Sequence, residues 1–401
     1  MSKTLHMIDY ALCGMAGHDY NYDSALLGAC KRMGIPGRLY VCKKLTEEIR
    51  ERLGAIPVFS HFWGDFAAHQ DEKIHLQRMT TFNADFLTDL AAITPEVDAS
   101  SVIFLQHIRM DRMVGLQTWL ASFAPERAPA TVIFLRNEDM ASDPLFRATL
   151  HHFAEQGLRV RFCTDTEGLR NAYGKIGCKV DVVPIPHLSL GETSRPETLD
   201  PVIVGFLDGA TGPILGFFGP ARWGKGFHLL PEIIEHVRGL DRTARFLIQA
   251  PLQNQGRTID KSEATAKASA LLFAMAERSD DVLWIDQGVS DLDYAFLMSR
   301  TDIVLLPYVD PQYRTGSSGI FSEAVTAGKF TILPADSWMG RQARQFSTAS
   351  VAFNAGTAVD VALAVAKCFR HFDRLKTRAT ELAPDWAAQH SPEAFVRYLV
   401  A

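Results

Sequence analysis

Two cations and three glycines stand together in Phe217-Phe218-Gly219-Pro220-Ala221-Arg222-Trp223-Gly224-Lys225-Gly226-Phe227, where an apolar, strand-like run passes through a turn into a helical pattern. A glycine-rich turn lets main chain come close to a phosphate. Arg222 and Lys225 can then both reach one diphosphate, the first through a planar fork and the second as a point charge. The spacing is not GxGxxG, which argues against a nicotinamide dinucleotide fingerprint. A basic turn with a packing tryptophan explains the same residues about as well.

A second group, Tyr313-Arg314-Thr315-Gly316-Ser317-Ser318-Gly319, follows a short apolar run ending at Pro307 and opens a helical pattern carrying Glu323. Unpaired N–H groups at a helix start attract anions. The spacing puts Glu323 on the first turn of that helix, where its carboxylate could accept from ribose hydroxyls or serve only as a helix-dipole charge. Between the two groups lies Gln287-Gly288-Val289-Ser290-Asp291, a loop whose main chain could read a base edge. Ser290 and Asp293 also have the spacing of a helix cap, and a plain capped turn accounts for the stretch.

The first half offers a smaller set. Gly14-Met15-Ala16-Gly17-His18 is a glycine-bearing turn after the first predicted strand. Gln106, His107 and Arg109 follow one later strand, and Arg136, Asn137, Glu138 and Asp139 follow the next. Polar clusters at the carboxyl ends of parallel strands are site candidates, although His107 fits equally well as a satisfied, partly buried histidine. Phe59-Ser60-His61-Phe62-Trp63-Gly64-Asp65-Phe66 mixes rings with polar groups, as a sugar-stacking groove, a packed loop or a membrane-facing edge would.

The elements that must position these residues alternate. Predicted strands are 5–12, 37–42, 101–108, 131–136, 158–164 and 180–185 in the first half, and 213–218, 246–250, 282–285, 303–306 and 330–333 in the second, with helical patterns between them. Strand, helix, strand repeated is the signature of parallel sheets wrapped by helices. The periodicity breaks around 186–212 into Ser, Thr, Gly, Pro and Glu. The expected fold is therefore α/β with two Rossmann-like doubly wound domains: residues 1–190, a linker at 191–212, residues 213–380, and a final segment at 381–401 whose helix packs back on the first domain. Two such domains facing each other would place a cleft between the carboxyl ends of their sheets.

The three segments of the second half, in this order, resemble the C-terminal domain of GT-B glycosyltransferases, particularly the retaining enzymes of glycosyltransferase family 4; the likeness spans roughly residues 213–340. It implies that Arg222 and Lys225 hold a donor diphosphate on the turn at Gly219, and that Gly288 and Val289 meet the base. It also implies that Ser317, Ser318 and Gly319 meet the diphosphate, with Gly316 beside them as a further donor-binding candidate, and that Glu323 binds ribose. In the first half it carries Gly17 across as a loop glycine near the diphosphate and acceptor. Arg136 stands where the family often has a histidine, and with His107 it is the candidate for the reacting face. One departure is clear: the family's Glu-x7-Glu pair has Thr315 at its first position. That leaves the sugar to Thr315 and main-chain N–H groups, or marks altered donor chemistry.

The resemblance implies transfer of a sugar from a nucleoside-diphosphate sugar to an acceptor hydroxyl of a glycan, lipid-linked or small-molecule acceptor, with retention and without metal or other cofactor. Rivals are another GT-B activity, such as a nucleotide-sugar epimerase or a phosphorylase, and a catalytically silent sugar-nucleotide-binding subunit. Composition narrows the partners. The 401 residues are 47% hydrophobic and 22% charged, with net charge −5, the balance of a globular protein without the broad cationic surface that coating nucleic acid requires. The six cysteines form no CxxC pair and read as structural thiols of a reducing compartment. No signal-like or spanning apolar run is present, so the expected location is the cytoplasm, with peripheral contact at the inner face of the membrane left open.

Overall fold

The computed structural model describes residues 3–12, 14, 18–186, 195–197, 199–254 and 257–401. It divides into two compact units, Met1–Leu188 with His390–Ala401, and Ser189–Gln389. In the first unit seven strands, β1 (Thr4–Asp9), β2 (Gly37–Cys42), β3 (Ile56–Phe59), β4 (Ser101–Leu105), β5 (Ala130–Phe134), β6 (Val160–Thr164) and β7 (Val180–Val182), form one parallel sheet in the order β3-β2-β1-β4-β5-β6-β7. Helices cover both faces, so the strands read as continuous apolar runs. Alternation still divides them: Ile8, Ile103, Leu105 and Ile133 enter one core cluster, while Leu5, Met7, Val102, Phe104 and Val132 enter the other. The last helix, Pro392–Val400, adds Phe395, Val396 and Leu399 to this second cluster and is capped by Ser391, whose side chain accepts from Ala394 N at 3.1 Å. Only this helix joins the first unit; residues 381–389 continue Phe372–Gln389 of the second.

The second unit holds β8 (Ile214–Phe218), β9 (Arg245–Gln249), the short hairpin strands β10 (Gln253–Asn254) and β11 (Arg257–Thr258), β12 (Val282–Ile285), β13 (Ile303–Leu305), β14 (Phe330–Pro334) and β15 (Ser350–Phe353). Six of them form a parallel sheet in the order β12-β9-β8-β13-β14-β15. Both sheets are doubly wound.

Three sequence expectations need correction. Residues 201–208, read as linker, form the helix Pro201–Asp208: Asp200 caps it, accepting from Val202 N at 2.8 Å, and Val204 and Leu207 are buried. Pro201 starts this helix, because its fixed φ suits the first turn and no N–H is wanted there. No predicted strand covers β3 or β15. Both are short edge strands, and β3 carries Pro57, which only an edge tolerates. The strands after 101 and 131 stop at Leu105 and Phe134, so Gln106, His107 and Arg136 belong to loops. The five described cysteines are free and buried.

Candidate functional site

In each doubly wound sheet the order reverses beside the first strand, and ligands bind outside the carboxyl ends at that point. In the second unit the reversal lies between β8 and β13, and the two cation-bearing and small-residue loops leave these very strands. The turn after β8 is built for close approach. Gly219 has φ of 95°, and a Cβ there would sit 2.6 Å from Lys225 Nζ and 3.8 Å from Ile320 Cδ1. The ammonium therefore lies over the glycine Cα, beside the start of the helix Gly319–Thr326. Gly226 has φ of 75°, and a Cβ there would fall 1.9 Å from the Pro307 carbonyl oxygen. Val309 N and Asp310 N donate to Gly224 O at 3.1 and 3.2 Å, so the turn is stitched to the loop that follows β13. Asp260, not singled out by sequence, accepts from Trp223 N at 2.5 Å; burial pushes its carboxyl up, but hydrogen bonds from Trp223, Ser262 and Thr265 hold it at about 2.

Lys225 is buried, and no described residue forms a hydrogen bond or salt bridge with its Nζ. Its ring neighbour is Tyr308, 5.5 Å away. Burial first, and then the Arg222 guanidinium, push the ammonium down to about 7, against the pull of Glu323. Arg222 itself is exposed and has no described carboxylate partner. Two like charges that disfavour each other, one of them desolvated, make a site that an anion would relieve. Ser318 caps the adjoining helix by accepting from Phe321 N at 3.3 Å, and Trp386 Nε1 donates to Ser322 Oγ at 3.1 Å and fixes that helix from behind. Gly316 N and Thr315 N both turn back to Gln312 O, and Thr315 is half-buried.

Glu323 lies on the second turn of its helix, not the first, because the cap falls at Ser318 and the helix begins at Gly319. A simple helix-dipole role is thereby weakened, since that effect fades beyond the first turn. Its Oε2 accepts from Tyr294 Oη at 2.6 Å. Burial raises the carboxyl, while Tyr294 and Lys225 hold it down. Tyr294 belongs to the helix Asp291–Arg300, which Ser290 caps by accepting from Asp293 N at 3.1 Å. The loop before it is held by Gln249 Nε2 donating to Gln287 O at 3.0 Å, with Gly288 exposed and Val289 half-buried. The structure thus brings Gly219, Lys225 and Ile320 together, couples Glu323 to Lys225 electrostatically, and ties Glu323 through Tyr294 to the helix that follows the loop with Gly288 and Val289.

The first unit has its own cluster at the reversal between β1 and β4. His107 Nε2 meets Asp19 Oδ1 at 2.7 Å, and Gln106 Nε2 donates to Asp9 Oδ2 at 3.0 Å. Arg136 Nε donates to Gln106 O at 3.2 Å, with its guanidinium 5.1 Å from the Tyr22 ring and 4.7 Å from the Phe134 ring. Arg109 instead covers Trp63 and Phe66 at 5.2 and 5.6 Å. Asn137, Glu138 and Asp139 are exposed, and Asn137 O accepts from Tyr173 Oη at 2.5 Å. Within the aromatic stretch Phe59 and Phe66 are buried and Trp63 is exposed. Gly17 lies outside the described residues. Asp9, Asp19 and His107 also have ligand atoms within 4.8 Å of one another, a spacing that would suit a metal ion. Those atoms are engaged in hydrogen bonds: Asp9 Oδ1 accepts from Ala11 N and Leu12 N at 2.7 and 3.1 Å.

Asp9, Asp19 and Asp23 escaped the sequence reading, since single aspartates at a strand end and on a helix carry no motif. Burial, and then Asp9, push Asp23 well above the ordinary carboxylate range; burial and Asp19 push Asp9 up as well. Between the ordinary value and the raised one the folded state holds more protons than the unfolded, so stability from this pair declines as pH rises through that window. Asp23→Asn keeps the shape and removes the titration. With pH rising above the ordinary carboxylate value, its melting temperature is expected to fall less than that of the unaltered protein; identical slopes would show that Asp23 does not hold the extra proton.

No helix among the described residues is long and apolar enough to cross a membrane. No protein-family model and no curated protein matches the chain in sequence. Solved structures match it over nearly its whole length. The N-terminal domain of Candida albicans trehalose-6-phosphate phosphatase aligns with TM-score 0.68 at 12% identity, covering 100% of this chain and 97% of that one. Sucrose-phosphate synthase of Thermosynechococcus elongatus gives 0.64 at 13%, with 99% and 97% covered. Anabaena HepE, in complex with UDP and glucose, gives 0.63 at 12%, with 99% and 98% covered. Two parallel doubly wound sheets, of seven and six strands, and these matches together give the chain the GT-B fold.

Proposed function

We propose that the chain is a glycosyltransferase that moves a sugar from a nucleoside-diphosphate sugar to an acceptor hydroxyl, with the donor held on the second unit. The observation that carries this reading is Lys225, a buried ammonium without a hydrogen-bonding partner among the described residues, lying between Gly219 and the start of the helix Gly319–Thr326. A nucleoside diphosphate supplies the missing negative charge. Arg222, Lys225 and the N–H groups at the helix start then stabilise charge that grows on the diphosphate as its bond to the anomeric carbon breaks. The acceptor oxygen bonds the anomeric carbon on the face from which the diphosphate departs and gives its proton to the departing phosphate, so the configuration is retained, and the protein's own cations take the place of a metal ion. Gly288 and Val289 border the base, Glu323 the ribose, and Thr315 with neighbouring main chain the sugar. His107 and Arg136 are the first unit's candidates for the acceptor, a carbohydrate or lipid-linked hydroxyl.

The UDP of the HepE complex makes uracil the first base to try. Thermal denaturation with a panel of nucleoside diphosphates and their sugars tests the reading. A ligand at 100 times its Kd stabilises the folded state by about 2.7 kcal/mol, so the right donor gives a rise of several degrees. If no nucleoside diphosphate moves the melting temperature, the reading fails. Anomeric configuration of the product, read by proton NMR, tests retention. A silent subunit would bind donor without consuming it, and an epimerase would change the sugar without an acceptor.

A further inference from the structure

Glu323 offers a ligand only part of its carboxylate. Its Oε2 is taken by the Tyr294 hydroxyl at 2.6 Å, whereas Oε1 has no hydrogen-bond partner among the described residues. The Tyr294 ring is itself held. It stands edge-on to Phe218 with centroids 5.6 Å apart, and Phe218 is the fully buried residue just before the Gly219 turn. One phenol thus touches the strand that launches the cation turn and the carboxylate of the helix beginning at Gly319, and it sits one turn into the helix that Ser290 caps.

On the donor reading above, we infer that Tyr294 is a positioning residue. By occupying Oε2 it locks the rotamer of Glu323, aims Oε1 at a ribose hydroxyl, and makes the site distinguish ribonucleotides from 2′-deoxyribonucleotides. A half-buried carboxylate anchored through one oxygen presents the other in a fixed direction, and a ligand without the matching hydroxyl leaves that oxygen unpaired. A free-swinging carboxylate would recover a water or a different hydroxyl and discriminate less. Lys225, electrostatically coupled to Glu323, favours the charged carboxylate against the effect of burial.

Binding of UDP and of 2′-deoxy-UDP to the full chain, by calorimetry, tests this. The unaltered protein is expected to prefer UDP by about tenfold or more, the discrimination that one hydrogen bond to a charged group supplies. Tyr294→Phe keeps the ring against Phe218 and deletes one oxygen; it should cut that preference to about twofold by weakening UDP alone. Glu323→Gln, a second variant of native size, should lose the same preference, and the double variant should lose no more than either single one. Equal weakening of both nucleotides in Tyr294→Phe, or an unchanged ratio, overturns the positioning role while leaving the donor site standing. Failure of the unaltered protein to bind either nucleotide overturns the donor site and this inference with it.

Discussion

Lys225→Met is expected to lower sugar transfer by about 10²-fold, as loss of one preorganised charge contact does, and at the same time to raise the melting temperature. The two effects share one cause. Lys225 is desolvated and faces Arg222, so its ammonium titrates near 7 in the folded chain against an ordinary value of 10.5. Between those values the unfolded chain holds the extra proton, so this residue's penalty is largest at low pH and shrinks as pH rises toward 10.5. Holding the side chain neutral or charged in that place costs on the order of 4 kcal/mol at pH 7, and Met removes the cost at similar volume. For a unit of this size the gain is on the order of 10 °C, and it should be greatest in acid. Calorimetry at several pH values, beside steady-state rates, reads both. A variant that is slower but no more stable would mean that Lys225 is not paying for its position.

The same residue sets the sign of donor binding with pH. An arriving diphosphate favours the charged ammonium and raises its pKa, so binding takes up a proton when the solution lies above about 7. Affinity for UDP should accordingly be flat below that point and fall above it, and Lys225→Met should abolish the slope.

Gly226→Ala is expected to be the most damaging single methyl in the second unit. The backbone there is left-handed, with φ of 75°, and a Cβ would lie 1.9 Å from Pro307 O, where no side-chain rotation relieves the contact. The left-handed conformation alone costs a non-glycine residue about 1–2 kcal/mol, and forcing the turn away from β13 adds about 1–3 more. Against the 5–15 kcal/mol typical of a domain, that is a loss of roughly 10 °C, and nucleotide binding should vanish with it because Lys225 moves too. Gly205→Ala is the control: a Cβ there meets nothing within 4 Å, and the helix Pro201–Asp208 should hold or gain stability. Equal melting of the two variants would show that the turn is looser than its contacts imply.

The sequence alone was enough for the alternation of strands and helices and for the donor-side candidates, because both are local. A glycine turn after an apolar run, a cap at Ser290 and a cation pair three residues apart are set by neighbours in the chain. Tertiary structure decided what local pattern does not carry. β3 and β15 became strands because a sheet edge offered them partners, and Pro201 opened a helix in what reads as linker. Asp9, Asp19 and Asp23 form a cluster only because the first helix brings two of them back to the end of β1. Glu323 acquired its geometry from Tyr294, 29 positions earlier in the chain. The charge of Lys225 was legible in the sequence; its burial, and hence its lowered pKa, was not, since desolvation depends on atoms contributed by strands and loops far apart along the chain.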